Sequence, residues 1–249
     1  MSKPCVLITG GAGRLGRAAA RELDSRGWDV RSFDRAPAPV GTSYVGQLSD
    51  ADTLLKAAKG AQVMIHLAAT PDDDDFVSQL LPNNVLGLYN ALEAARIAGI
   101  KRVILASTGQ VNWWQQFDGN GPIKLGDTIT PRGWYAVTKV AMEAAGMIYA
   151  RNEGMTVIAT RLGWCPRTRA QMEELGSSPH GPQVYFSPQD AGAFFAAAVS
   201  APVEPGYHLV FAASLPRDRA VFDLEPVKAL LGWSPKDRWP EGAEEDVAP

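Results

Sequence analysis

The feature that most constrains the fold is the stretch CVLITGGAGRLG at residues 5–16. Its first four residues, Cys5–Ile8, are apolar and rich in β-branched side chains, which predicts a short buried strand. Gly10, Gly13 and Gly16 follow at the spacing of a dinucleotide-binding turn. Glycines there let the backbone approach a pyrophosphate at a helix N-terminus, where amides and the helix dipole favour anions. The alternative is a tight strand-to-helix turn that binds no ligand.

Composition and charge narrow the class of protein. The chain has 249 residues and a formal net charge of −3, without a run of basic residues, so nothing indicates nucleic acid or an anionic membrane surface as a partner. The two cysteines, Cys5 and Cys165, do not suggest a disulfide framework and fit a reducing compartment. The N-terminal apolar run is only as long as a strand, so we expect a cytoplasmic protein. The proline- and acid-rich tail after Trp239 is expected to fray.

The second predicted strand ends in a carboxylate that bears on the choice of cofactor. A helical pattern follows the glycines as far as Gly27, and Val30–Asp34 then reads as a strand, which completes a βαβ unit. Asp34 lies about twenty residues after the glycines, where it can accept both adenosine ribose hydroxyls and repel a 2′-phosphate. NAD is therefore favoured over NADP. Arg35 leaves an alternative open, since its guanidinium could hold a phosphate or stack on adenine.

The remaining chain continues to alternate between strands and helices, which predicts a doubly wound α/β fold with a parallel sheet. The further strands are expected at 43–45, 62–67, 101–107, 156–161 and 207–212. The further helices are expected at 50–59, 76–98 with a kink or restart at Pro82, 134–152, 189–200 and 223–231.

Two groups of polar residues invite a chemical role but have simpler explanations. Asp72–Asp75 is a run of four carboxylates that suits a metal ion or, more simply, the solvated N-terminus of a helix. We favour capping and expect no metal. His66 ends a buried strand, and a packed histidine is more common there than a catalytic one.

A tyrosine and a lysine provide the strongest chemical signal. The aperiodic, Gly- and Trp-rich loop at 108–131 leads into WYAVTK, in which Tyr135 and Lys139 are four residues apart and share one helix face. A nearby ammonium favours the phenolate and lowers the pKa of a phenol, so Tyr135 becomes a usable proton shuttle for an alcohol or carbonyl. The alternative is an amphipathic helix that carries both residues incidentally.

Taken together, five motifs resemble those of the extended short-chain dehydrogenase/reductase family, the NAD-dependent epimerase/dehydratase group. They are TGGAGRLG at 9–16, Asp34, HLAA at 66–69, AST at 106–108 and YAVTK at 135–139. The resemblance runs from Lys3 to about Trp233. It implies a Rossmann core over 1–161 that includes the Tyr/Lys helix, and a small C-terminal substrate-binding lid within 162–249, interleaved with that core. Members of the family often form homodimers through the two long helices.

The resemblance also implies roles for individual residues. The catalytic set is Thr108, Tyr135 and Lys139, with Ser107 a less favoured alternative to Thr108. Gln47 replaces the aspartate that usually contacts adenine in the family and would have to make that contact. The implied cofactor-binding residues are Gly10, Gly13, Arg14, Leu15, Gly16, Asp34, Gln47, Leu48, Leu67, Ala68, Ala69, Asn84, Tyr135 and Lys139. The implied substrate-binding residues are Thr70, Ser107, Gly109, Trp164, Arg167 and Arg169.

Four segments, at 84–90, 161–165, 186–187 and 231–236, are together with the short chain similar to those of uronate dehydrogenases within this family. That resemblance implies oxidation of a sugar acid with NAD. Gly109-Gln110 replaces the acidic pair of the dehydratases, so water elimination is disfavoured. The substrate residues depart from the uronate pattern, since Gly109 and Trp164 replace Asn and Ser, and the expected arginine is missing in register. Either Arg167 or Arg169 could bind a substrate carboxylate, or both could be solvated loop charges. With Trp164, two further tryptophans, Trp113 and Trp114, would make the pocket more apolar.

These patterns predict an NAD-dependent oxidoreductase that acts on a small sugar or sugar-acid alcohol. Two alternatives stay open at this point. An epimerase would keep its NAD bound and show no net cofactor turnover. A regulatory protein would sense NAD(P) without catalysis, although it would need none of the three catalytic residues.

Overall fold

The computed structural model describes residues 3–119 and 121–248, so position 120 of the predicted loop at 108–131 lies outside the described residues. Seven strands form one sheet in the order β3-β2-β1-β4-β5-β6-β7, and every neighbouring pair is parallel. This confirms the predicted doubly wound fold. The strands are β1 (Cys5–Thr9), β2 (Asp29–Asp34), β3 (Thr42–Val45), β4 (Val63–His66), β5 (Arg102–Thr108), β6 (Thr156–Leu162) and β7 (Gly206–Ala212).

Helices cover both faces of the sheet. They are α1 (Arg14–Ser25), α2 (Ala51–Ala58), α3 (Gly87–Ala98), α4 (Trp134–Glu153), α5 (Arg169–Ser177), α6 (Pro188–Ser200) and α7 (Glu225–Leu231). A π-helical segment, Phe76–Leu86, runs directly into α3. The sequence pattern did not predict α5.

The central strands are buried on both sides because the two helical layers take alternate residues. In β1, Val6 and Ile8 pack in the cluster that includes residues of α1, α6 and α7, whereas Cys5 and Leu7 pack in the cluster with residues of α2, α3 and α4. Apolar side chains on both faces are typical of parallel strands, and they explain why the sequence shows continuous apolar runs here. The strand order reverses at β1, so the crevice at the carboxyl ends of β1 and β4 is the expected binding site.

Of the kink or restart expected at Pro82, the structure shows no restart. The chain stays helical from Phe76 to Ala98, but its first eleven residues are π-helical, and the Gly87 N–H accordingly donates to the Pro82 carbonyl five residues back. Proline lacks an N–H and its ring clashes with the preceding turn of an α-helix. The wider π-helical turn accommodates the ring without ending the helix.

The C-terminal region shares the core of the molecule. β7 is the edge strand of the sheet beside β6, and α6 packs on α1, so residues 162–249 are interleaved with the nucleotide-binding half. The lid role of this region stays a prediction.

The expectation of a frayed tail is wrong for the described residues as far as 248. Ala243 is buried, the Arg14 guanidinium donates to its carbonyl at 2.6 Å, and Arg21 pairs with Asp246 at 2.6 Å. Arginines on one face of α1 thus hold the tail in place.

Within residues 3–119 and 121–248, no helix is both long and apolar enough to cross a membrane.

Candidate active site

The glycine turn forms the floor of a cleft of about 840 Å³ at the carboxyl edge of the sheet. Gly10 has a φ of +75°, and a Cβ there would lie 2.7 Å from the Ala68 nitrogen, so a larger residue would push the two loops apart. A Cβ on Gly16 would collide with the Gly10 carbonyl. Among the described residues, no side chain caps the N-terminus of α1, and its first turn carries no acidic residue. Because Gly10 and Gly16 carry no side chain, a ligand can approach the free backbone amides at the start of α1. These amides fit the pyrophosphate of a dinucleotide.

The Asp34 carboxylate is held at the far side of this turn. Its Oδ2 accepts a hydrogen bond from the Ala12 N–H at 3.1 Å, and its Oδ1 accepts one from the Ala36 N–H at 3.3 Å. Asp34 and Arg35 both line the cleft, next to the turn and at the end of β2. The carboxylate is therefore fixed where the adenosine ribose of a bound dinucleotide would lie.

Gln47 does not take the position that the resemblance implies. Gly46 and Leu48 line the cleft, whereas the Gln47 side chain is exposed to solvent. Strand β3 ends at Val45, and the chain then turns, with the Asp50 N–H donating to the Gln47 carbonyl at 2.8 Å. An adenine contact would therefore come from the backbone and from Leu48.

The end of β4 forms the next part of the wall. Leu67, Ala68 and Ala69 line the cleft as expected. His66 lies beneath them, fully buried, with its Nδ1 2.8 Å from the Thr9 hydroxyl oxygen, and burial lowers its pKa to about 3. A neutral, packed imidazole is the structural role that the sequence favoured.

Thr108, Tyr135 and Lys139 come together on the opposite side of the cleft. Thr108 ends β5, and the other two lie one turn apart at the start of α4. The Lys139 Nζ donates to the Ala106 carbonyl at 2.8 Å and lies 5.5 Å from the centre of the Tyr135 ring. The structure thus groups a phenol, an ammonium and a hydroxyl at the end of the cleft away from Asp34.

The pKa of the phenol differs from the expectation. The sequence predicted that Lys139 lowers the pKa of Tyr135, but the pKa is raised, chiefly because burial disfavours the phenolate and secondarily because of Asp72. Arg167 and the nearby Thr108 hydroxyl act in the opposite direction. Burial also lowers the pKa of Lys139 to about 8. Burial therefore disfavours the charged form of both Tyr135 and Lys139.

Two carboxylates of the acidic run at 72–75, Asp73 and Asp75, cap helical segments. Asp73 accepts a hydrogen bond from the Tyr135 N–H at 2.8 Å and so caps α4, and Asp75 caps the π-helical segment through the Ser78 N–H at 2.8 Å. These contacts agree with the favoured capping interpretation. In the described part of the chain, no group of three His, Cys, Asp or Glu side chains is arranged to hold a metal ion.

Asp72 instead faces the cleft, which the sequence did not predict. Its Oδ2 lies 2.7 Å from an Arg167 guanidinium nitrogen, and its Oδ1 accepts a hydrogen bond from the Gln110 amide at 3.2 Å. Its backbone has a φ of +64°, a conformation that aspartate tolerates better than most residues. Of the two candidate arginines, only Arg167 lines the cleft, because Arg169 is exposed and pairs with Glu244 at 3.4 Å.

Ser107 belongs to a buried network. Its hydroxyl donates to Glu143 at 2.6 Å, and the same carboxylate pairs with both ends of the Arg161 guanidinium at 2.9 and 2.8 Å. Arg161 also donates to Asn112 at 2.8 Å. Ser107 lines the cleft, but its hydroxyl serves this network, which agrees with Thr108 as the favoured alternative.

The side chains of Thr70, Asn84 and Arg14 form hydrogen bonds with other protein groups. The buried Asn84 amide accepts from the Thr70 N–H at 2.7 Å and donates to Thr138 of α4 at 3.2 Å, and neither Thr70 nor Asn84 lines the cleft. The Arg14 guanidinium is turned to the carbonyls of Pro166 and Ala243, although its backbone starts α1 beneath the cleft. We therefore interpret all three as supports of the site.

Aromatic residues line the end of the cleft that holds Tyr135. Trp113 and Trp164 line the cleft, whereas Trp114 is 61% exposed and does not. Two further aromatic residues, Phe117 and His180, pack beside Trp113 and were not predicted. Gly13, Leu15 and Gly109 also line the cleft as expected.

Comparisons with known proteins agree with this arrangement. Residues 6–164 match the model of the NAD dependent epimerase/dehydratase family. L-arabinose 1-dehydrogenase (NAD(P)(+)) of Haloferax volcanii is 30% identical over 246 residues, covering 93% of this chain and 96% of the relative. Uronate dehydrogenase of Agrobacterium fabrum is 30% identical over 237 residues, covering 93% and 84%. A variant of uronate dehydrogenase from Agrobacterium tumefaciens, crystallised with NAD, superposes with a TM-score of 0.78 at 27% identity, covering 95% and 86%.

Proposed function

Because the chain belongs to the NAD dependent epimerase/dehydratase family, we propose that it is an NAD-dependent dehydrogenase that oxidises a hydroxyl group of a small sugar or sugar acid. The observation that carries this proposal is a single cleft that joins the glycine turn to Thr108, Tyr135 and Lys139. The named activities of the two relatives are both sugar oxidations, which supports the same reaction class.

In this proposal, Thr108, Tyr135 and Lys139 each have a separate role in the reaction. Tyr135 accepts the proton of the substrate hydroxyl after losing its own, a loss that burial opposes and that Arg167 and the Thr108 hydroxyl favour. The Thr108 hydroxyl also holds the reacting oxygen by a hydrogen bond. The Lys139 ammonium, 5.5 Å from the centre of the Tyr135 ring, offers donors to the ribose of the cofactor. Bound NAD supplies the acceptor for the hydride that leaves the substrate carbon. Thr70, Asn84 and Asp73 keep the start of α4 in position.

The cofactor preference follows from Asp34. Its carboxylate is fixed by two backbone N–H groups and faces the cleft, where it accepts ribose hydroxyls and repels a 2′-phosphate. Arg35 is adjacent and stacks on adenine in this proposal. We accordingly expect NAD to be used in preference to NADP.

Turnover with a panel of sugars tests the proposal. The purified protein is mixed with NAD and either aldoses or uronic acids, and reduced cofactor is followed by its absorbance. Tyr135→Phe should abolish turnover and leave NAD binding within about twofold of wild type, since the ring stays and only the proton acceptor is lost. Turnover that persists in this variant rejects the assignment of Tyr135.

The same experiment separates the two alternatives. An epimerase would retain NAD and interconvert sugars without net reduction of the cofactor. A regulatory protein would bind NAD(P) and turn over none of the sugars, and Tyr135→Phe would then change nothing.

The assembly and location extend this proposal. We propose a homodimer through α3 and α4, which border an apolar groove of about 430 Å³ with Tyr89 and Ile148 more than half exposed at its edge. The two free cysteines support a cytoplasmic location. Light scattering after size exclusion measures the mass directly.

A further inference from the structure

The ion pair between Asp72 and Arg167 joins two walls of the cleft. The residues are 95 positions apart in the chain, and their charged atoms lie 2.7 Å from each other. The second carboxylate oxygen of Asp72 is taken up by Gln110, so both oxygens have partners. Both side chains stay partly exposed, 49% for Asp72 and 39% for Arg167, so a substrate in the cleft can reach them.

This pair lies close to the reacting group. Both side chains line the cleft together with Tyr135, and the charges of both act on the phenol, Asp72 raising its pKa and Arg167 lowering it. Any substrate whose hydroxyl lies against Tyr135 therefore has other groups within reach of the pair. A carboxylate on that substrate would be expected to bind the Arg167 guanidinium.

The positively charged groups at this end of the cleft outnumber the carboxylates, but those other than Arg167 are already engaged. The carboxylates are Asp72 and Glu174, and the cations are Arg132, Lys139 and Arg167. The Lys139 ammonium donates to the Ala106 carbonyl at 2.8 Å, and the nearby Arg14 guanidinium donates to the Pro166 carbonyl. The Arg132 guanidinium is stacked on the Trp113 ring at 4.5 Å. His180 is neutral, because burial lowers its pKa to about 4.

We propose that Asp72 makes this site selective for uncharged sugars over sugar acids, because it already occupies the guanidinium of Arg167 that a substrate carboxylate needs. This inference rests on the proposed sugar dehydrogenase activity. A sugar acid would have to share the Arg167 guanidinium with Asp72, which already takes one of its terminal nitrogens, and it would lie beside a second carboxylate, which repels it. Sugar hydroxyls, in contrast, donate to Asp72 and accept from Arg167 without breaking the pair. Trp113 and Trp164 provide apolar surface for the face of a sugar ring.

Matched sugars that differ only at C6 test this selectivity. D-galactose is compared with D-galacturonate, and D-glucose with D-glucuronate, by kcat/KM with NAD. For the wild-type protein we expect at least about a tenfold preference for the aldose in the pair that it oxidises, which is the effect of one charged hydrogen bond.

Substitution of Asp72 should reverse the preference. Asp72→Asn keeps the shape of the side chain but frees Arg167, and it should move the ratio of the two kcat/KM values at least about tenfold toward the uronate. Arg167→Ala in the same background should remove that gain. Asp72→Ala provides a second variant, and thermal melting verifies that each one is folded. Asp74→Asn is the matched control, because Asp74 is an exposed neighbour in the same acidic run that changes net charge equally.

The outcomes separate this inference from the proposed function. A wild-type protein that prefers the uronate, or a ratio that Asp72→Asn shifts no more than Asp74→Asn does, overturns the role of Asp72 and leaves the dehydrogenase intact. If uronate oxidation depends on Arg132 and not on Arg167, this result also overturns the role of Asp72 and leaves the dehydrogenase intact. A folded protein that binds NAD but oxidises none of the aldoses and uronic acids of the full panel overturns both proposals.

Discussion

Loss of Glu143 should destabilise the protein more than any exposed ion pair can. Its carboxylate binds the Arg161 guanidinium through two hydrogen bonds and accepts a third from Ser107, and the exposed fractions of the charged side chains are only 7% and 4%. Glu143→Leu replaces this carboxylate by an apolar group of similar volume and leaves Arg161 buried, with Asn112 as its remaining partner. An unpaired buried charge is among the most costly defects in a protein interior.

The expected loss in the free energy of unfolding follows from this geometry. Breaking a buried pair by removal of one partner costs about 3–5 kcal/mol. The double variant Glu143→Leu/Arg161→Met removes both charges and retains only the unsatisfied Ser107 and Asn112 groups, at about 1–3 kcal/mol. The double variant should therefore be more stable than Glu143→Leu alone, by about 2 kcal/mol. Because Ser107 and Thr108 are adjacent in β5, Glu143→Leu should also lower kcat.

Urea unfolding followed by tryptophan fluorescence measures these free energies of unfolding. Glu22→Gln is the control, since Glu22 pairs with Arg26 at 2.6 Å on the exposed face of α1, and loss of that pair should cost less than about 0.5 kcal/mol. The reasoning is refuted if Glu143→Leu lies within about 1 kcal/mol of wild type, or if the costs of the two single substitutions simply add in the double variant.

Two further predictions concern the cofactor and pH. Asp34→Ala should weaken NAD binding about tenfold and reduce the preference over NADP, as measured by calorimetric titration with both cofactors; an unchanged preference contradicts the assignment. His66 has a pKa of about 3 in the folded protein against 6.5 when unfolded, so its contribution to stability is complete above pH 6.5 and is lost as the pH falls toward 3. Between pH 7 and pH 5 this removes about 2 kcal/mol, and His66→Gln should reduce the measured pH dependence by that amount. An identical pH dependence in the variant would show that His66 does not titrate in this way.

The sheet could be predicted because its signals are local. The strands β1, β4 and β5 are short apolar runs, and Leu67 and Thr108 directly follow or end such a run, whereas Asp34 ends the mixed strand β2. In a parallel sheet these ends meet at one edge, so residues that are distant in sequence are expected to share a cleft. Tyr135 and Lys139 were found for a similar reason, since a spacing of four residues puts them on one helix face.

The parts that could not be predicted depend on contacts between distant segments. Gln47 was assigned by its position in a motif, but the turn that starts at this residue leaves its side chain exposed and Leu48 in the cleft. The raised pKa of Tyr135 depends on burial by residues from several loops. The pairing of Asp72 with Arg167 leaves no pattern in the sequence, because each residue alone is consistent with a solvated loop charge.

The C-terminal tail shows how such distant contacts determine the chemistry of the cleft. Arg14 was expected to bind the cofactor, but its guanidinium donates to the Ala243 carbonyl, so anion binding at the glycine turn is left to the backbone amides and the dipole of α1. The Ala248 N–H donates to the Arg167 carbonyl at 2.9 Å, and the Arg169 N–H donates to the Ala248 carbonyl at 3.2 Å. The tail therefore fixes the loop from which Arg167 reaches Asp72. If Asp72 and Arg167 set the selectivity as proposed, it depends on backbone hydrogen bonds made by Ala248, 81 positions after Arg167.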